Sequence, residues 1–172
     1  MSTLKTIEKQ LGDLFKDLPE LPKGGKDFLV QFWPYIALIF GVLQLLAALS
    51  LWNLMRVASP LIDYANELNR YTNGNYIGYS STDKIVIYGG IALLLVNAVI
   101  FLMAYAPLKA RAQIGWDLIF LASLINVLYA VVQIFISTRG IGSFIMSLVG
   151  SAIGFYLLFQ IKERYGAKTA KK

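Results

Sequence analysis

The first candidates for chemistry in this sequence are four polar side chains that can form hydrogen bonds but cannot ionise. Gln44, Asn97 and Asn126 each lie in the middle of an apolar run, and Ser151 lies within a fourth run. At about 1.5 Å per helical residue, each lies roughly 14 to 18 Å from the end of its helix that is on the side of the chain termini. Because an unpaired amide in hydrocarbon is costly, we expect one inward-facing polar layer at the midplane. The layer either clips the helices together or lines a path for a neutral or weakly charged solute.

Residue types that most other chemistry requires are missing. The chain contains no Cys and no His, which excludes disulfides and thiolate or imidazole metal sites. Its apolar runs hold no internal carboxylate that could relay protons, and no nucleophile stands beside a base. We therefore expect no enzyme activity, no metal and no cofactor.

The elements that would hold the polar layer are four long apolar runs. Of the 172 residues, 57% are hydrophobic and 15% are charged, and the mean hydropathy is +0.60. This balance excludes an ordinary soluble domain. A bilayer core requires about 20 apolar residues per helix. The runs that meet this requirement are 32–52, 85–106, 116–136 and 141–161.

Lys and Arg are distributed unequally between the two sides of these spans. Twelve lie on the side of the termini, and four lie on the other side. The positive-inside rule therefore predicts that both termini are cytoplasmic, with a basic tail over 166–172 on the anionic inner leaflet. Because the cations flank the spans, we expect no nucleic-acid partner. The predicted anchors at the two membrane interfaces are Trp33, Trp52, Lys109, Arg111 and Trp116.

The N-terminal segment, residues 1–26, carries a helical pattern of its own. Its apolar residues recur every three or four positions up to Pro19, which predicts an amphipathic helix over 2–18. The helix would lie on the inner leaflet or against the bundle, or would form a short coiled coil between copies. A flexible joint containing Gly24 and Gly25 follows. The stripe consists of Leu4, Ile7, Leu11, Leu14 and Leu18.

The connection between the first two spans, residues 53–84, is the only long external loop that the sequence predicts. Ser59-Pro60 is typical of a helix start, and Asn73-Gly74 is typical of a turn. The pattern predicts a short helix on the outer surface. Its tyrosines would anchor it in the interface or face a partner or sugar.

Small residues mark the surfaces where helices are expected to approach closely. Hydrophobicity does not drive helices together within a bilayer, so close packing between small residues takes its place. The first span has Ala37 and Gly41 four residues apart, and the fourth has Gly150 and Gly154 at the same spacing, preceded by Gly142. We expect these residues to carry contacts with a second copy or with a partner membrane protein.

Two stretches carry a resemblance to a known class of protein. One is the basic connection that enters the third span, KARAQIGWDL over 109–118, and the other is GFYLLFQIK over 154–162, followed by Tyr165. Together they resemble small four-span bacterial membrane proteins. The resemblance implies a location in the bacterial cytoplasmic membrane and brings no established activity with it.

These observations predict an all-α integral membrane protein. Its membrane domain, residues 27–165, would be an antiparallel four-transmembrane-helix bundle with an N-terminal amphipathic interfacial helix. The expected function is non-enzymatic and works through helix–helix packing. The alternative is a small oligomeric channel or facilitator that uses the midplane polar layer.

Overall fold

The structure, a computed structural model, consists of five α-helices and a short 3-10 helix in the residues that it describes. These residues are 2–72, 74, 75, 78, 81–136 and 141–166, and no strand occurs among them. The helical class is therefore the predicted one. The helices are α1 (Ser2–Phe15), α2 (Lys23–Tyr71), α3 (Ser81–Lys109), α4 (Gln113–Ile136), α5 (Ile141–Gln160) and the 3-10 helix Lys162–Arg164.

Three helices of the described chain are long and apolar enough to cross a membrane. They are α2, the segment Lys84–Lys109 of α3 and the segment Gln113–Val131 of α4. Helix α5 has 20 residues, and a shorter apolar segment, Leu148–Gln160, lies within it. The fourth span therefore stays a prediction.

Helix α2 corrects two predictions, because it runs without interruption for 49 residues. Neither the predicted joint containing Gly24 and Gly25 nor the loop that should begin at residue 53 interrupts it. Pro60 lies inside the helix rather than at the start of a new one. A proline removes one backbone hydrogen bond, and contacts elsewhere can offset that loss.

The chain that returns from the tip of α2 contacts the segment that follows Pro60. The Lys84 ammonium lies 3.4 Å from the Asp63 carboxylate, and the Asn69 side chain donates to the Asn75 carbonyl at 2.9 Å. A local sequence signal cannot report such contacts. It therefore placed the start of a helix where the structure continues one.

Successive helices pack antiparallel, each against the next in sequence. Helix α2 lies along α3, α3 along α4, and α4 along α5. The buried positions of α2 recur at intervals of three, four or seven residues, the spacing of left-handed helix pairs. They are Val30, Pro34, Ala37, Gly41, Ala48 and Met55.

The largest core lies at the end of the molecule where α1, the α3–α4 turn and the 3-10 helix meet, here called the base. Helix α1 docks there by stacking Phe15 on Phe159, with ring centroids 5.8 Å apart. Glu8 pairs with Lys162 at 2.6 Å, and the Tyr156 hydroxyl donates to the Pro19 carbonyl at 2.7 Å. Of the alternatives for α1, packing against the bundle is therefore the observed one.

The predicted apolar stripe of α1 is divided between two environments. Ile7 and Leu11 pack against the core of the base, together with Phe15. Leu14 and Leu18 are exposed, as is Leu4. Two of the five stripe residues are thus used within the chain.

Candidate helix-packing surfaces and polar layer

The polar layer contains one hydrogen-bonded pair, which joins α3 to α4. Asn97 is buried, with 2% of its surface exposed, and its Nδ2 donates to Oδ1 of Asn126 at 2.7 Å. Seven residues earlier on α3, Gly90 lets the Tyr129 side chain of α4 approach closely, so the two helices are in contact on both sides of this level. Asn126 itself is exposed on the surface of α4. The structure therefore brings together two of the four residues that the sequence assigns to this layer.

The remaining two polar residues do not join this pair. Gln44 lies on the α2 face that meets α3, and its Oε1 is buried without a hydrogen-bond partner. The Oδ1 atom of Asn97 is also buried and unpaired. Ser151 is half-buried on α5, and no hydrogen bond in the described part of the chain connects it to the other three. The layer thus holds two carbonyl oxygens that are free to accept.

Ala37 and Gly41, which the sequence assigns to helix packing, pack within the chain. Ala37 is buried in the core, and Gly41 faces α3. A Cβ atom at Gly41 would lie 3.0 Å from the Leu102 side chain and 3.2 Å from Phe101. A larger residue at this position would therefore need the Leu102 and Phe101 side chains to shift. Their common spacing could not reveal which helix they meet.

Gly150 and Gly154, unlike Ala37 and Gly41, face open space on the surface of α5. No atom lies within 4 Å of a Cβ built at either glycine. Large apolar side chains on the same part of α5 are exposed as well, among them Met146 and Ile153. Gly142 lies in α5 but outside the residues whose surroundings the structure describes. The glycine pair is therefore an unfilled packing surface.

Trp116, which the sequence assigns to a membrane interface, is a core residue of the base. It is fully buried, and its ring stacks on Phe120 with centroids 5.1 Å apart. Its indole Nε1 donates to the Leu158 carbonyl at 2.8 Å. Leu158 is among the last four residues of α5, whose carbonyls lack a donor within the helix. Trp116 therefore caps α5 from a neighbouring helix.

Other predicted anchors do lie at the surface. Trp52 is half exposed, Lys109 and Arg111 are exposed, and Trp33 is partly buried. The Lys109 ammonium lies 5.9 Å from the centre of the Tyr105 ring.

Two aromatic pairs connect α2 to α3 at separate heights. Tyr35 meets Tyr105 with ring centroids 6.1 Å apart, and Trp52 meets Tyr88 at 6.0 Å. On both helices the two heights differ by the same number of residues, which corresponds to about 26 Å of helix. The separation is close to the hydrocarbon thickness of a bilayer, about 30 Å, at whose edges Tyr and Trp concentrate.

The base contains features that the sequence did not indicate. Gly115 packs so closely on the α3–α4 turn that a Cβ there would lie 2.6 Å from the Leu108 backbone nitrogen. Tyr165 follows the 3-10 helix and is buried, with its hydroxyl unpaired. Burial raises the pKa of Tyr165 to about 12, although the Arg111 guanidinium opposes the shift. Glycine before tryptophan is the only local signal that could have pointed to this close packing.

The contacts that these residues make are hydrogen bonds, ion pairs and apolar packing. Among the residues that the structure describes, no group of three acidic, His or Cys side chains is placed to hold a metal ion. The ion pairs Glu8–Lys162 and Asp27–Arg164, at 2.6 Å and 3.2 Å, fasten the 3-10 helix to α1 and α2.

Comparison with known proteins gives no match, either to protein-family models, to curated proteins or to solved structures. The function is therefore argued from the contacts of this chain alone.

Proposed function

We propose that this chain is a small multi-pass protein of the bacterial cytoplasmic membrane that acts without catalysis, by packing against a second copy or a partner membrane protein. The observation that carries the proposal is the open glycine pair of α5, Gly150 and Gly154. The proposal has three parts: insertion in the bilayer, orientation and assembly.

Insertion is supported by the apolar outer surface of the helices. Ile39, Phe40, Leu43 and Leu46 of α2 are each about half exposed or more. Exposing this apolar surface to water would cost about 25 cal/mol of free energy per Å². Lipid tails solvate it without that cost. The aromatic pairs bound a layer of membrane thickness, and the 20 residues of α5 are long enough for a fourth span.

Orientation follows from the cations at the base. Lys109 and Arg111 lie there with Lys162 and Arg164, as does α1 with its lysines. The positive-inside rule places this end and both termini in the cytoplasm. Contact with anionic lipids then adds about 1 kcal/mol per cation near the membrane surface.

Assembly is supported by the type of surface that α5 leaves unfilled. Within a bilayer, helices associate where small residues allow their backbones to approach and form van der Waals contacts. Two glycines four residues apart lie on one helical face and provide such a surface. The other predicted pair, Ala37 and Gly41, is already filled by α3, so α5 carries the intermolecular contact.

The test replaces both glycines of the α5 pair with leucine and compares the result with leucine at one other open glycine. Gly150→Leu with Gly154→Leu fills the open face, and we expect the oligomeric mass in nanodiscs to fall. Gly89→Leu is the matched control, because Gly89 also faces open space but has Ile85 and Leu93 four residues away. An unchanged mass in the α5 variant, or an equal fall in the control, would contradict the proposal.

A channel or facilitator is the second candidate, and the unpaired oxygens of Gln44 and Asn97 favour it. Two buried acceptors without donors can bind water or a neutral solute. Four spans are few for a pore, so this function requires an oligomer. Replacing Asn97 and Asn126 together with Leu should preserve the oligomeric mass and abolish solute flux into proteoliposomes. Unchanged flux would exclude the candidate.

A further inference from the structure

We infer that a second copy of this chain docks along α2 beyond the membrane, through a parallel coiled coil. The contact surface, here called the α2 stripe, is separate from the glycines of α5. The inference rests on the proposed insertion of the chain in a bilayer. The α2 stripe consists of Leu54, Val57, Leu61, Tyr64, Leu68 and Tyr71.

The α2 stripe has the spacing of a coiled-coil seam. Its six members are separated alternately by three and four residues, which is the heptad pattern of two helices that wind around each other. Each member has between 50% and 82% of its surface exposed. The same spacing continues into the predicted membrane span through Phe40, Leu43, Ala47 and Ser50, all of them exposed.

The position of the α2 stripe places it in water. The 49 residues of α2 span about 73 Å, more than twice the hydrocarbon thickness. The outer aromatic pair contains Trp52, so the stripe begins just beyond it and continues for about 26 Å. Outside the bilayer the hydrophobic effect operates, and an uncovered row of large apolar side chains is unfavourable.

The chain itself covers the other face of this segment. Met55 is buried against α3, and Ile62 contacts Gly78 of the returning chain. The Asp63–Lys84 ion pair also joins this segment of α2 to α3. The α2 stripe is therefore what remains after the hairpin has formed, and a partner must come from outside this hairpin.

A second copy fits the α2 stripe because of how a membrane orients it. Copies that insert with the same topology have parallel α2 helices at equal height, so each stripe residue meets its own counterpart. The stripe has no charged member, and Ala58 and Ala65 beside it leave room for a close neighbour. Charged side chains on this segment, Arg56 and Arg70 among them, lie off the stripe. Two facing stripes bury on the order of 1,000 Å², near the lower limit of a specific interface.

Membrane anchoring also explains how a seam this short can hold two helices together. Six residues fill fewer than three heptads, which is marginal for a free coiled coil. Two copies already associated within the bilayer hold their outer segments at a high effective concentration. The outer contact then forms without the loss of freedom that two free helices would experience.

Disulfide trapping tests the contact directly, because the natural chain has no Cys. Leu61→Cys and Leu68→Cys would place two thiols across the seam, within the Cα separation of up to about 6.8 Å that a disulfide requires. Arg56→Cys and Arg70→Cys are the matched controls, exposed on the same segment but off the stripe. All four full-length variants are reconstituted in phosphatidylethanolamine–phosphatidylglycerol vesicles at low protein density and oxidised with copper phenanthroline.

We expect the two stripe variants to form dimers at least tenfold faster than the two controls. Equal rates at all four positions, or no dimer at the stripe, would overturn the inference. A partner of another kind or contact with lipid headgroups would each give that second result.

A charge variant separates this inference from the proposed function. Leu61→Glu with Leu68→Glu should abolish trapping at a third stripe position, Leu54→Cys, while Gly150 and Gly154 remain intact. Trapping that survives these charges contradicts the α2 contact. If the Gly150→Leu and Gly154→Leu variant leaves the oligomeric mass unchanged but the stripe still traps, only the α5 surface of the proposed function fails.

Discussion

Replacing Trp116 with phenylalanine tests how the base holds α5. The smaller ring keeps the stack on Phe120 but removes the indole N–H that caps the Leu158 carbonyl. Leaving a buried acceptor unpaired costs about 1–3 kcal/mol. The lost ring volume adds about 1–2 kcal/mol, because the surrounding side chains close the cavity only in part. We expect Trp116→Phe to lower the free energy of unfolding by about 3 kcal/mol.

The assay is titration of the micelle-embedded protein with dodecyl sulfate, followed by circular dichroism. Trp52→Phe is the matched control, because Trp52 is half exposed and has no hydrogen bond to a core carbonyl in the described part of the chain. We expect the control to cost less than about 1 kcal/mol. A difference between the two variants below about 0.5 kcal/mol would refute the capping role.

Three further predictions use the same titration. Gly115→Ala should cost more than about 2 kcal/mol, since its Cβ would lie 2.6 Å from the Leu108 backbone nitrogen, whereas Gly89→Ala meets open space in a helix interior and should stabilise by up to about 1 kcal/mol; equal costs would contradict this close packing. Asn97→Leu should cost about 1–3 kcal/mol, because it leaves Oδ1 of Asn126 without its donor, and removal of the unpaired oxygen of Asn97 offsets this only in part; a cost near zero would contradict the role of this hydrogen bond. The pKa of Tyr165 is raised from 10.0 to about 12, so its contribution to stability is complete below pH 10 and is lost as the pH rises towards 12. Tyr165→Phe should lack this part of the pH dependence, and identical profiles would contradict the shift.

The sequence was a good guide to elements whose signals are local. The apolar runs predict α3, α4 and α5 to within a few residues, and Pro19 lies just beyond the end of α1. The prediction failed at Pro60, where a helix-start signal lies inside α2. The signal at Pro60 is local, whereas the contacts between α2 and the returning chain, Asn69 with Asn75 and Asp63 with Lys84, join residues 6 and 21 positions apart in the sequence.

Prediction of the candidate site was limited in the same way. The number of residues along each helix predicted that Asn97 and Asn126 lie at the same depth, and a hydrogen bond joins them in the structure. Depth could not specify the direction in which a side chain points, so Gln44 and Ser151 were assigned to the same layer without sharing a bond with it. For the same reason, identical glycine spacings gave no way to distinguish Gly41, packed against α3, from Gly150, which is open.

Assembly in the bilayer is the central claim, and counting copies tests it most directly. The unmodified full-length chain would be reconstituted in nanodiscs at a large excess of lipid, and the number of copies per disc measured by native mass spectrometry. We expect two or more copies per disc, in discs large enough to hold several. A single copy per disc across a range of protein concentrations would contradict assembly through Gly150 and Gly154 and along α2.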